Sequence, residues 1–130
     1  MQGRCLCGAV TITAADGSTM DACHCGTCRN WGGGPFMTVH PASVQIDGKD
    51  RIKAYRSSDW AERGFCGECG THLYYHLLPR DEYFLAAGLF AESAGFTFKR
   101  QIFVDKKPAG YDFANDTEKL TAAQVFAQAS

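Results

Sequence analysis

Seven cysteines in 130 residues fall into three groups: Cys5-Leu6-Cys7-Gly8, Cys23-His24-Cys25-Gly26-Thr27-Cys28 and Cys66-Gly67-Glu68-Cys69-Gly70. The third has the form of a zinc knuckle. Two thiolates at Cys-x-x-Cys spacing can hold adjacent corners of a tetrahedron. The glycine after the second cysteine permits the positive φ of the tight turn. The first group is a shorter version with the same trailing glycine. Together the two knuckles predict one closed four-cysteine zinc site, Cys5, Cys7, Cys66 and Cys69. It would tie the start of the chain to its middle across about sixty residues, a constraint on the unfolded chain worth several kcal/mol in entropy models.

The middle group offers three thiolates within six residues. Cys23, Cys25 and Cys28 can fill three corners around a second Zn2+ and leave the fourth for an exchangeable ligand, the layout of a catalytic zinc. Three thiolates around a divalent cation leave a net charge of minus one, which blunts its power to acidify water. Holding a substrate thiolate is the better use of such a centre. Two other readings stay open. His24 or another histidine can complete a purely structural second site. Cys25 and Cys28 also carry the spacing of a redox pair, although that motif belongs to a βαβ setting that this chain lacks.

The remaining polar candidates are fewer. His24 can ligate metal or donate a proton, and facing solvent is its simpler expected role. Arg29 follows the hook and can pair with a substrate carboxylate or within the protein. In Gly32-Gly33-Gly34 the bare backbone at Gly33 and Gly34 can approach a ligand, or simply turn the chain. His72 and His76, four apart in a strand, are expected to share a face. His40 precedes a proline and reads as a loop residue.

The composition is that of an ordinary globular chain, 45% hydrophobic and 21% charged, and the length suits a single domain over 1–130. With 13 basic and 14 acidic residues, no basic excess points to nucleic acid. No stretch approaches the roughly 18 apolar residues of a membrane helix. Gly3, Arg4 and Cys5 already belong to a patterned segment, so no signal core is read, and a cytoplasmic protein is expected. A reducing compartment disfavours disulfides, and an odd number of cysteines cannot all pair.

The elements that must position these groups read mostly as strands. Ala9–Thr13 alternates, Asp16-Gly17 is a turn pair, and Ser18–Ala22 returns. Further strands are expected over Pro35–Val39, Val44–Ile46, Ile52–Tyr55, Arg63–Cys66, Thr71–Leu78, Tyr83–Ala87, Phe96–Phe98 and Gln101–Val104. Helix is expected only as short peripheral pieces. One runs from Cys25 to Trp31 and ends at the glycines. The other runs from Thr121 to Ala129 behind a Thr121 cap, so that 117–130 is a peripheral helix or tail.

Three segments carry a family resemblance: Gly3-Arg4-Cys5-Leu6-Cys7-Gly8-Ala9-Val10, Cys23-His24-Cys25-Gly26-Thr27-Cys28-Arg29 and Arg63-Gly64-Phe65-Cys66-Gly67-Glu68-Cys69-Gly70-Thr71, with Ile102-Phe103-Val104-Asp105 after them. In these the chain resembles the glutathione-dependent formaldehyde-activating family, which includes centromere protein V-type domains. The resemblance implies a β-tent fold, mostly β, of curled antiparallel sheets around zinc. It implies a structural zinc on the first and third groups and a catalytic zinc on the middle one. It further implies a carbon–sulfur lyase that adds a glutathione-like thiol to a small aldehyde such as formaldehyde. Gln101 stands where members often carry histidine, and Gly110 where they often carry tryptophan. The alternative is a non-catalytic zinc module that binds a partner through its β surface, with a structural zinc only.

Overall fold

The computed structural model describes residues 1–15 and 17–129; Asp16 of the expected turn pair lies outside them. The fold is mostly β, as expected. Its strands are β1 (Gln2–Arg4), β2 (Thr11–Ala15), β3 (Thr19–Cys23), β4 (Phe36–Val39), β5 (Ser43–Asp47), β6 (Ile52–Ser58), β7 (Ala61–Cys66), β8 (His72–Leu77), β9 (Glu82–Ala86), β10 (Thr97–Ile102) and β11 (Glu118–Leu120). Among the described residues two α-helices accompany them, α1 (Gly26–Gly32) and α2 (Ala122–Ala129).

The strands form a three-stranded sheet, β1-β2-β5, and an eight-stranded sheet, β11-β10-β3-β4-β9-β8-β7-β6. Period-two alternation explains how the small sheet packs. In β2, Ile12 and Ala14 are buried while Thr13 and Ala15 are exposed. They join Val39, Leu73, Tyr74, Leu85 and Phe90 from the large sheet and its connections in one core cluster. Ile12, Leu73 and Leu85 are fully buried, each contributing about 1.5–3 kcal/mol by leaving water. Cys5 and Cys66 belong to the same cluster, so the closing cysteines are built into the core.

Most pairings are antiparallel, but β10 runs parallel to both its neighbours, β3 and β11. The two short strands expected over Phe96–Phe98 and Gln101–Val104 are one strand, β10. The polar Lys99-Arg100 pair that divides them in sequence marks a register shift rather than a turn. Arg100 is accommodated because its Nη2 lies 2.8 Å from Asp21 Oδ2 on the adjacent strand. Two strands carry too little apolar pattern to be read in advance. β1 has a single buried residue, and β11 buries only Leu120. The segment expected to be only helix or tail therefore starts by adding an edge strand to the sheet. After it, Thr121 caps α2: its Oγ accepts from Gln124 N at 3.3 Å while Gln124 Oε1 accepts from Thr121 N at 2.8 Å. That reciprocal pair is a capping box.

His72 and His76 do not share a face. Phe65 pairs with His72 but Gly64 with Tyr74, so Leu73 is the extra residue of a bulge. The bulge turns His72 to the side of Arg63 and Phe65, where it stacks on Trp31 at 4.6 Å. His76 stays on the other side, stacked on Tyr83 at 4.0 Å and bonded to Asp81 at 2.7 Å. His40 lies in a loop, as expected.

Among the described residues no helix is long and apolar enough to cross a membrane.

Candidate metal centres

Cys5, Cys7, Cys66 and Cys69 converge, with their four sulfurs all within 4.8 Å of one another. Cys5 and Cys7 sulfurs lie 3.6 Å apart, and Cys7 and Cys66 sulfurs 3.7 Å. Four thiolates about 2.3 Å from a zinc ion make a tetrahedron with edges of about 3.8 Å. The spacing therefore fits that ion, and soft sulfur donors favour it. Both trailing glycines take the predicted positive φ, 79° at Gly8 and 77° at Gly70. The turns aim polar groups at the sulfurs. Val10 N donates to Cys5 Sγ at 3.3 Å, and the Thr71 hydroxyl donates to Cys69 Sγ at 3.1 Å. Thr71 Oγ also accepts from Leu6 N at 3.2 Å, which clamps one knuckle to the other. The Thr71 hydroxyl foremost, then backbone hydrogen bonds from Thr71 and Cys7, bring the Cys69 thiol down to about 5. A thiol of this kind is ready to serve as a ligand.

The hook forms where a strand becomes a helix. Cys23 ends β3, Cys25 caps α1 with its sulfur accepting from Cys28 N at 3.3 Å, and Cys28 sits in the first turn. β4 then returns antiparallel to β3, so the unit is not the parallel βαβ of a redox motif. The three sulfurs lie within 4.8 Å of one another, and among the described residues no fourth His, Cys, Asp or Glu atom joins them. Three thiols this close cannot all ionise on their own. Hydrogen bonds from Cys23 and Cys28 pull the Cys25 thiol down to about 2, while the bond to Cys25 pushes Cys23 far up. A divalent cation relieves that conflict. The donor set fits zinc with one corner left over.

His24 does not face solvent. It is completely buried, because the parallel neighbour β10 and the loop after it close over it. Its N–H donates to Ile102 O at 3.1 Å. Its Nε2 lies 2.8 Å from Gln101 Oε1 and its Nδ1 2.9 Å from the Tyr111 hydroxyl. An amide oxygen only accepts, so Nε2 carries the proton and Nδ1 accepts from Tyr111. Both ring nitrogens are used, leaving no lone pair for metal. Gln101, 3% exposed, also donates to Thr117 Oγ at 2.8 Å. Gln101 and Tyr111 thus bind the histidine inside the hook.

Arg29 turns inward, its Nε donating to His24 O at 3.0 Å. Gly33 ends α1 at φ 85°, its N–H bonded to Arg29 O at 2.7 Å. Neither residue, nor Gly34, lines the cleft beside the hook. That cleft, about 380 Å³, is lined by Gly26, Thr27, Asn30, Trp31, Tyr55, Ser57 and Arg63.

Arg63 is the residue that sequence reasoning missed. It is 3% exposed. Both terminal nitrogens lie 3.5 Å from Cys28 Sγ, Nε donates to Ser57 Oγ at 3.2 Å, and the guanidinium sits 5.2 Å over the Tyr75 ring. In a flat sheet the four strand spacings from β3 to β7 would span about 19 Å. An arginine on β7 reaches the hook because the sheet curls and α1 lies across its concave side, with Trp31 against Phe65 and His72. The available signal was an arginine three residues before a knuckle cysteine.

Residues 1–106 match the family described as glutathione-dependent formaldehyde-activating enzyme, and the chain belongs to that family. A Schizosaccharomyces pombe protein described as an uncharacterized lyase is 38% identical over 127 residues, covering 95% of this chain and 93% of the yeast protein. A Rhodobacter sphaeroides protein of known crystal structure shares the fold, with a TM-score of 0.59 and 22% identity over 70% of this chain and 88% of that one.

Proposed function

We propose that the protein is a zinc-dependent carbon–sulfur lyase acting on a small thiol, glutathione-like, and a small aldehyde such as formaldehyde. Family membership and the lyase description of the yeast relative support the reaction class. The observation that carries it to a site is the three-cysteine hook, which among the described residues has no fourth His, Cys, Asp or Glu ligand and shares Arg63 with an adjoining cleft. Cys5, Cys7, Cys66 and Cys69 would hold a structural zinc, and Cys23, Cys25 and Cys28 a second, reactive one. Zinc held there would supply positive charge that lowers a thiol's pKa and fixes its sulfur. The chain's own groups do the rest. Thr27, Asn30 and Ser57 offer hydroxyl and amide partners to a peptide-like thiol, while Trp31 and Tyr55 wall the cleft. The sulfur adds to the aldehyde carbon, and the carbonyl oxygen takes up the proton that the thiol released. The reverse path is the lyase direction. His24 holds the hook in place rather than moving protons, since Gln101 and Tyr111 occupy both nitrogens.

We read residues 1–130 as one such domain, because β11 completes the sheet from beyond the matched 1–106. None of the seven cysteines is disulfide-bonded, which suits a reducing compartment such as the cytoplasm.

Zinc stoichiometry on the wild type and on Cys25→Ser tests the assignment. Two zincs falling to one, with the fold intact, is the expected result. One zinc in both proteins would leave the non-catalytic module with a structural zinc only. Exchange between free glutathione and its formaldehyde adduct, followed by magnetisation transfer, then tests the substrates. An exchange rate no faster than the spontaneous one would reject that pair.

A further inference from the structure

Arg63 is a buried cation with an unusual set of partners. Among the described residues its guanidinium meets a sulfur, a hydroxyl and an aromatic ring, and no carboxylate. A buried charge without an opposite charge is strongly disfavoured. The negative charge that balances it must come from the hook, through Cys28. The same guanidinium forms part of the cleft wall, so its field acts on the cleft as well as on the hook.

We propose that Arg63 sets the charge of the three-cysteine centre so that its open corner takes an anionic sulfur ligand, a thiolate, in preference to a neutral ligand. This rests on the thiol chemistry proposed above and adds the residue that selects for it. Three thiolates and a divalent cation sum to minus one, and Arg63 brings the buried assembly to zero. Accepting a thiolate then costs a single net negative charge. Without Arg63 the same step would build up two negative charges in a partly dry site, where like charges repel most. A neutral ligand adds no charge in either case, so Arg63 changes its binding far less. The thiol's proton leaves to solvent, and no oxidation is involved. The planar fork suits the role because two N–H groups converge on one sulfur while Ser57 and Tyr75 hold the plane. Arg63 acts through Cys28 and is a positioning residue, not a catalytic one.

The test replaces zinc with cobalt(II), whose sulfur-to-metal charge-transfer bands report the ligands directly. Cobalt-loaded wild type, Arg63→Met and Arg63→Lys are titrated with 2-mercaptoethanol and, separately, with imidazole as the neutral ligand. Arg63→Met is expected to weaken thiol binding at least about tenfold while imidazole binding changes less than about twofold. Arg63→Lys is expected to recover most of the thiol affinity. Equal thiol affinity in wild type and Arg63→Met would overturn the proposal. So would parallel losses for thiol and imidazole, which mark a merely structural role. If thiol leaves the wild-type spectrum unchanged, the thiol chemistry itself fails, and this inference with it. Should Arg63→Met not fold, Arg63→Gln makes the same comparison, keeping a hydrogen-bonding side chain without the charge.

Discussion

Gln101 Oε1 accepts the Nε2 proton of His24 at 2.8 Å, and both side chains are sealed from solvent. The bond joins β10 to the middle of the hook. Gln101→Leu would leave the imidazole N–H buried without a partner, which costs about 1–3 kcal/mol. Urea unfolding should show the midpoint falling at unchanged slope. Tyr111→Phe, which removes the donor to Nδ1, should cost about 0.5–1.5 kcal/mol. An unchanged midpoint in Gln101→Leu would mean that water or another group replaces the amide.

The two cysteine clusters should differ in what their loss does to the fold. Cys5 and Cys66 are both core residues, whereas the hook lies at the end of β3. Cys66→Ser should abolish the cooperative thermal transition, and Cys25→Ser should keep it. Because ligand thiols must be deprotonated, acidification should release the hook's metal before the sheets unfold. Near-ultraviolet circular dichroism alongside a zinc-binding dye would resolve that order.

Gly64 lies against the face of Tyr74. A Cβ there would come within 2.3 Å of the ring's Cζ. Both residues are buried, and β7 and β8 are paired at this point, so neither has room to retreat. Gly64→Ala is expected to cost about 1–3 kcal/mol through overpacking. The double variant Gly64→Ala/Tyr74→Ala should lose less than the sum of its parts, since the clash requires both side chains. A double-mutant cycle with no coupling would contradict the packing described.

Tyr74 also predicts alkaline behaviour. Burial first, then the nearby Tyr83 and Glu62, pushes its hydroxyl from 10 up to about 12. Between those two values the unfolded chain gives up the tyrosine proton and the folded one keeps it. The folded state then binds more protons, so stability falls as pH rises from 10 to 12. The loss is up to about 3 kcal/mol. Tyr74→Phe should flatten that part of the stability profile, and an identical decline in the variant would place the titration elsewhere.

The parts of the fold that follow from local pattern were legible in the sequence. Alternation marked most strands, Thr121 marked the start of α2, and Gly8 and Gly70 marked the knuckle turns. Cysteine spacing grouped the thiols as the structure groups them. What escaped depends on tertiary neighbours. Lys99-Arg100 looked like a break because its charge partner, Asp21, sits on a strand far away in sequence. Leu73 gave no sign of a bulge, so His72 and His76 were placed on one side. Arg63 carries no local sign of its role, since nothing local shows that the sheet curls until β7 faces α1. His24 looked exposed because the residues that bury it come much later in the chain.

That delay has a consequence for how the protein is made. The partners of His24 lie 77 and 87 residues downstream, at Gln101 and Tyr111. At roughly 5–20 residues per second, the hook thiols leave the ribosome several seconds before the bolt that fixes them exists. During that interval Cys23, Cys25 and Cys28 are a short, flexible chelating peptide. Early metal capture would preorganise the hook for the late arrival of β10, while early oxidation would block it. Metal capture by the hook before the native sheet closes would therefore favour a correctly assembled centre.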